Sequence, residues 1–198
     1  MTTESAPKTP QAPTFEFLII RKEDVPKIAQ TYFERKAVDL TLRIRRGEEM
    51  QETKEEFPLK HFFMVKHDNG DRTYLAQHEK VLNTTKDTES NVYLVDMRED
   101  KAVGYGEIIS NLSDPVLLDE PYVGYTTTVG GVGHTGLGTR RLLLMNDFAK
   151  KFFGYPLHAG NTSPGYATAT WLKLVKEGYA VAIRKKSGSK FAFKSEQK

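Results

Sequence analysis

The chain is expected to fold as mixed α/β, with a mostly antiparallel central sheet flanked by helices. Three observations predict it. Strand-like and helical segments follow one another in the order β, α, (α), β, β, β, α, β, α, β, β once a hairpin-containing stretch at 47–90 is set aside. A glycine-dense run at 130–138 joins a β-branched strand to a leucine-rich helix. The length of 198 residues, with 38% hydrophobic and 28% charged residues, suits one ordinary globular core. The reading is therefore a flexible tail over 1–14, rich in Thr, Pro, Ser and Ala, and a single domain over 15–198 with an insertion at 47–90.

Each element has its own justification. Phe15 to Ile20 is a short strand-like run. Asp24-Val25-Pro26 looks like a helix start, an acid followed by a proline in the first turn. Val25, Ile28, Ala29, Tyr32 and Phe33 follow at helical spacing, and Val38, Leu40, Leu42 and Ile44 continue as a second helix, although their alternation also allows a strand. Residues 47–56 read as a charged loop. Phe62–Lys66 and Thr73–Ala76 flank Asn69-Gly70, the signal of a hairpin turn with positive φ angles. Residues 79–90 are polar and read as loop. Asn91–Met97 and Ala102–Ser110 form a second hairpin, and Tyr122–Val129 is a strand. A helix runs to about Phe153, Pro156–Gly160 is a short strand, and a further helix runs to about Glu177 with Gly178 as its C-cap. Tyr179–Arg184 and Lys190–Phe193 make the last hairpin.

Composition excludes several chemistries. There is no cysteine, hence no disulfide, thiolate nucleophile or iron–sulfur cluster. His61, His67 and His78 are scattered without a carboxylate cluster or HExxH spacing, so no metal is expected. The net charge is +3, and its signs are interleaved, as in Arg43-Ile44-Arg45-Arg46-Gly47-Glu48-Glu49, which argues against a nucleic-acid stripe. No run of 18 apolar residues exists, and Met1–Ser5 has neither a basic start nor an apolar h-region. A cytoplasmic protein with no membrane partner is expected. Trp171, with Leu172 and Val175, reads as core, and Lys185, Lys186, Lys190 and Lys194 read as a solubilising basic end.

The run Gly130-Gly131-Val132-Gly133-His134-Thr135-Gly136-Leu137-Gly138 carries the chemistry. Backbone N–H groups at a helix start lack helical partners, and the helix dipole adds positive potential there. Glycines let the backbone approach an anion, so the loop reads as a phosphate site. Three templates compete. A P-loop fails because Leu137 stands where lysine is needed. Gly131 to Gly136 matches G-x-G-x-x-G, yet the loop follows an antiparallel hairpin and no acid ends the next strand, His158-Ala159-Gly160-Asn161, so a dinucleotide fold is disfavoured.

The third template fits best. Gly136-Leu137-Gly138 with Leu142-Leu143 resembles the phosphate loop and helix of the GNAT family, the acyl-CoA-dependent N-acetyltransferases. Asn91-Val92-Tyr93-Leu94-Val95 with Val103-Gly104-Tyr105-Gly106-Glu107-Ile108 resembles the family hairpin, and Asn161 with Gly178-Tyr179 resembles its ending. The likeness covers about 91–183, is vaguer over 15–46 and leaves out 47–90. It implies acetyl-CoA as co-substrate and a primary amine as acceptor, whether a small molecule, a peptide or a protein lysine. The implied co-substrate residues are Val129, Gly131, Gly133, His134, Thr135, Gly136, Leu137, Gly138, Thr139 and Asn161. The thioester carbonyl would be polarised by a backbone N–H near Val129–Gly131, with Gly130-Gly131 suited to a β-bulge. Glu107 is the implied general base, with Asp119 and Glu120 as second choices.

Two departures from the pattern stand out. Gly133 occupies the family's Gln/Arg position, and Leu174 the position of its proton-donating tyrosine, for which Tyr166 or Ser163 would have to substitute. A reading from another class explains both. The stretches Gly160–Ser163, Trp171–Lys173 and Gly178-Tyr179 are similar to GNAT-like proteins of tailed bacteriophages. On that reading the chain is a catalytically degenerate virion or protein-binding component, built into a homo-oligomer or virion assembly.

Overall fold

Successive residues along the strands go to opposite sides, and this sorts the apolar residues into two cores. Phe63, Val65, Leu75, Val92, Leu94 and Ile108 belong to one, and Phe62, Tyr74, Ala76, Tyr93 and Val95 to the other. The computed structural model describes Pro10 and residues 12–47, 59–82, 87–111, 121–130, 136–160, 165–183 and 191–194, with backbone alone for 38–47, 79–82, 87–89, 111 and 165–166. The elements are β1 (Leu18–Ile20), α1 (Lys27–Gly47), β2 (Leu59–Lys66), β3 (Arg72–Leu82), β4 (Asp87–Arg98), β5 (Lys101–Asn111), β6 (Tyr122–Thr128), α2 (Leu137–Phe153), α3 (Gly165–Lys176), β7 (Ala180–Ala182) and β8 (Phe191–Phe193).

Strands β1 to β6 form one sheet in sequence order, each antiparallel to its neighbour. Helices α2 and α3 supply the core on one face, and α1 supplies the core on the other. The expected class, a mixed α/β fold with a mostly antiparallel sheet flanked by helices, is the one observed, and it agrees with a GNAT-like architecture. Beyond β6 the only parallel pairing among the described residues is a single bridge, Tyr122 to His158. His158 also bridges Ala192, which ties the β7–β8 hairpin to the same edge.

Several expectations are corrected. The helix over 27–47 is continuous, not a pair, because no glycine or proline interrupts it before Gly47. The hairpin expected within the 47–90 insertion is β2–β3, and it lies in the central sheet between β1 and β4. Residues 79–82 and 87–90, expected as loop, extend β3 and β4. Their register sets Lys80 opposite Glu89 and Val81 opposite Thr88, pairings that suit a polar ladder. The expected strand at 156–160 reduces to the His158 bridge. The charged loop beyond Gly47 and most of the 1–14 tail lie outside the described residues. The start of the domain is anchored: the Phe15 N–H donates to Asp147 Oδ2 at 2.7 Å, and the Phe17 ring meets Phe148 and Phe152 edge-on. Among the described residues no helix is long and apolar enough to cross a membrane.

Candidate functional site

The site begins where β6 gives way to α2. Gly136 caps the helix with φ 77°, a left-handed conformation that costs a residue with a Cβ about 1–2 kcal/mol. No side chain caps this end, so the first-turn N–H groups of Leu137, Gly138 and Thr139 have no helical acceptor. Leu137 is buried in the core, while Gly138 and Thr139 are half-buried. Beside this helix start lies a cavity of about 590 Å³, bounded by Pro13–Glu16, Lys66–Asn69, Gly136, Thr139, Arg140, Leu143 and Lys173. Gly131, Gly133, His134, Thr135 and Asn161, with Asp119, Glu120 and Ser163, lie outside the described residues, as does the side chain of Tyr166.

The second part is the outer edge of β6. Val123 N–H donates to the His158 carbonyl at 2.9 Å, and His158 N–H to the Pro121 carbonyl at 2.9 Å. Past Val123 this edge has no strand partner among the described residues. The Val129 N–H is committed to the Val103 carbonyl at 3.0 Å, so it is not a free donor. The β-bulge expected at Gly130-Gly131 reaches beyond the described residues at Gly131, and within β6 a bulge stands at Gly124. Ile108 pairs with Val123 and Glu107 with Tyr125, which leaves Gly124 as the extra residue. A Cβ there would fall 2.6 Å from Ile109 Cδ1 and 3.3 Å from Glu107 Cδ. Glycine is thus favoured at the bulge, which brings the β6 backbone against the Glu107 carboxyl. An isolated glycine in Tyr122-Val123-Gly124-Tyr125 is the signal from which this could have been read.

Glu107 is 8% exposed, on the face of the sheet that α1 covers. Tyrosines surround it. Tyr93 and Tyr125 are its direct cross-strand partners, and Tyr105 lies two residues before it in β5. Tyr32 from α1 stacks on Tyr105 with ring centroids 4.6 Å apart. Burial first, and then the charge of Glu107, push the Tyr32 phenol well above its ordinary range, so it stays protonated. Its Oη is buried without a hydrogen-bond partner among the described residues. The relation of Tyr32 to Glu107 could not be read from spacing, because β5 and α1 are far apart in the chain.

The opposite face carries a different cluster. Arg141, 1% exposed, donates through Nε to Asp96 Oδ2 at 2.7 Å and through Nη1 to Thr126 Oγ1 at 3.0 Å. Thr73 Oγ1 donates to Asp96 Oδ1 at 2.6 Å, so His67 Nε2–H is the donor in its 2.8 Å contact with that oxygen. The Arg141 guanidinium lies directly over Gly104, in the space that any side chain there would fill. Nearby, Asp71 accepts from Arg98, Arg140 and Asn69, and the Arg98 hydrogen bond leads in holding its carboxyl well below the usual carboxylate range. The Arg140 charge is thus shared with Asp71, which leaves Lys66 and Lys173 as the other cations of the cavity.

Leu174 is fully buried, so no phenol stands at that position. Trp171 is core as expected, packed on Phe191 and Phe193. Among the described residues no group of His, Asp or Glu is arranged to hold a metal ion. No family model, curated protein or solved structure matches the chain.

Proposed function

We propose that the chain is an acetyl-CoA-dependent N-acetyltransferase of GNAT type that acts on a primary amine. The observation that carries the reading is the meeting of a buried carboxyl, Glu107, with a glycine bulge in β6, whose outer edge past Val123 has no strand partner among the described residues and which leads toward the glycine-headed helix α2. Acetyl-CoA supplies an activated acyl group as a thioester. The N–H groups of Leu137, Gly138 and Thr139 would bind its pyrophosphate at the helix start, together with the loop residues Gly131, Gly133, His134 and Thr135 that the resemblance implies. Because the Val129 N–H is spent on Val103, the donor that polarises the acyl carbonyl would be a backbone N–H of Gly130-Gly131 or of the bulge at Gly124. Glu107 takes a proton from the bound ammonium, directly or through one water, so that the neutral amine attacks the thioester carbonyl. The C–S bond breaks as the amide forms, and the amine's second proton leaves with sulfur as the coenzyme A thiol.

The alternative, a catalytically degenerate virion or protein-binding component, is favoured by the fully buried Leu174 at the proton-donor position. Calorimetric titration of acetyl-CoA separates the two. Gly138→Glu serves as control, because a Cβ at 138 meets nothing closer than Thr170 Oγ1 at 3.8 Å, while the added carboxylate opposes a phosphate. Binding near −8 kcal/mol, equivalent to about micromolar affinity, that is lost in the control supports transfer. No heat and no thermal shift at millimolar acetyl-CoA would retire it in favour of the alternative.

A further inference from the structure

The α1 face holds a cation where an acceptor amine would be expected to sit. Lys36 lies one turn after Tyr32 on α1, and its Nζ stands 5.3 Å from the centroid of the Tyr125 ring and 5.9 Å from that of Tyr32. Both distances fall within the range where a ring's negative face attracts an ammonium. Tyr125 is 43% exposed, so the position is reached from solvent. It is also the residue next to the Gly124 bulge and directly across from Glu107. A flexible alkyl chain carrying a primary ammonium therefore already lies over the ring that adjoins the bulge and the buried carboxyl. Lys36 has no carboxylate partner within ion-pair reach among the described residues. Two tyrosine rings are what hold its charge.

We infer that Tyr32 and Tyr125, backed by Tyr105 and Glu107, form a subsite for a primary alkylammonium, and that Lys36 occupies it as an internal stand-in which an incoming lysine-like amine displaces. Its role as the acceptor subsite rests on the acetyl-transfer reading; its affinity for an ammonium does not. The chemistry selects against amines without a positive charge, and against acids, which the Glu107 carboxylate repels.

The test uses the whole chain without acetyl-CoA. Nα-acetyl-lysine methylamide is titrated into the native protein and into Lys36→Met, followed by tyrosine ring proton shifts and by calorimetry. The norleucine analogue, which has the same stem without the amine, is the control. The expected result is about fivefold tighter binding of the lysine probe to Lys36→Met, no binding of the norleucine analogue, and loss of the gain when Tyr125→Leu is added. Equal affinity in both proteins, or equal binding of the norleucine analogue, overturns the inference. A second measurement needs no variant: excess n-butylammonium should move the Lys36 side-chain proton shifts away from their ring-shielded values in the native protein. Unmoved shifts at saturating probe would equally overturn it. Ammonium binding by a protein that ignores acetyl-CoA keeps the subsite and removes the transfer reading. Acetyl-CoA binding without ammonium binding does the reverse.

Discussion

The two faces of the sheet at β5 and β6 use their polar residues in opposite ways. On the α2 face, Arg141, Asp96, Thr73 and His67 form a linear chain of hydrogen bonds, with Arg141 Nη1 reaching Thr126 on β6 and only its Nη2 buried without a partner among the described residues. On the α1 face, one strand position away, Glu107 sits among tyrosines, and Tyr32 Oη has no partner among the described residues. The period of two puts Gly104 and Gly106 under Arg141 and turns Tyr105 and Glu107 to the other side. Charges that satisfy one another hold strands in place, while a carboxyl beside a glycine bulge and the exposed Tyr125 ring is placed where a ligand could reach it.

If that contrast is right, substitutions on the two faces should separate rate from stability. Glu107→Gln keeps shape and removes the base. Transfer should fall by about 10² to 10⁴-fold, with the urea midpoint close to that of the native protein. A rate that survives, or a collapse of the midpoint, would move Glu107 into the structural class. Arg141→Met should do the reverse. It strands the Asp96 carboxylate in the core at a cost of about 3–5 kcal/mol, whereas Arg141→Met with Asp96→Leu should recover most of that loss. Denaturant titration of the single and double variants checks it, and an additive double variant would break the argument. Gly124→Ala lies between the two. Its Cβ presses on the end of the Ile109 side chain, 2.6 Å away, which can yield, for a cost of about 1–3 kcal/mol. It also crowds the Glu107 carboxyl at 3.3 Å, so a drop in transfer beyond what the lost folded fraction explains is the expected signature.

The sequence was most readable where local signals were strong. Asn69-Gly70 set the β2–β3 turn, with Gly70 at φ 83°, and the leucine-rich run set α2 with glycine at both ends. Glu107 was singled out from its place in an apolar strand, and it does lie buried beside the bulge. Polar stretches misled. Residues 79–90 carry few apolar side chains, yet a long antiparallel ladder needs only backbone pairing and tolerable cross-strand neighbours, and Lys80 opposite Glu89 supplies them. Arg141 gave no warning, because an arginine in the first turns of a helix ordinarily faces water. Its burial depends on Gly104 and Asp96, residues some forty positions away in the chain. The Tyr32 to Tyr105 stack and the position of Lys36 come from the packing of α1 on the sheet, which spacing does not encode.

The smallest expected effect probes how far the α2-face chain reaches toward the cavity. His67 donates to Thr73 and also lines that cavity. Burial, and then the positive charge of Arg140, hold its imidazole below the ordinary value, and they outweigh the attraction of Asp96, Asp71 and Asp68. The unfolded chain, with an ordinary histidine near 6.5, therefore takes up this proton before the folded chain does. Where the unfolded state binds more protons, stability rises with pH. The His67 contribution is thus fully present above about pH 7 and is lost as pH falls through about 6.5 toward the lower folded value. Asp71 acts in a separate window, since its depressed carboxyl gives stability that is lost only below about pH 4. Urea midpoints taken between pH 7 and 5 should fall in the native protein and fall less in His67→Gln, whose amide can still donate to Thr73. Parallel slopes would mean that His67 takes up its proton in the folded state as readily as in water. The chain from Arg141 would then end at Thr73, and the cavity would no longer be coupled to the charges that hold β6.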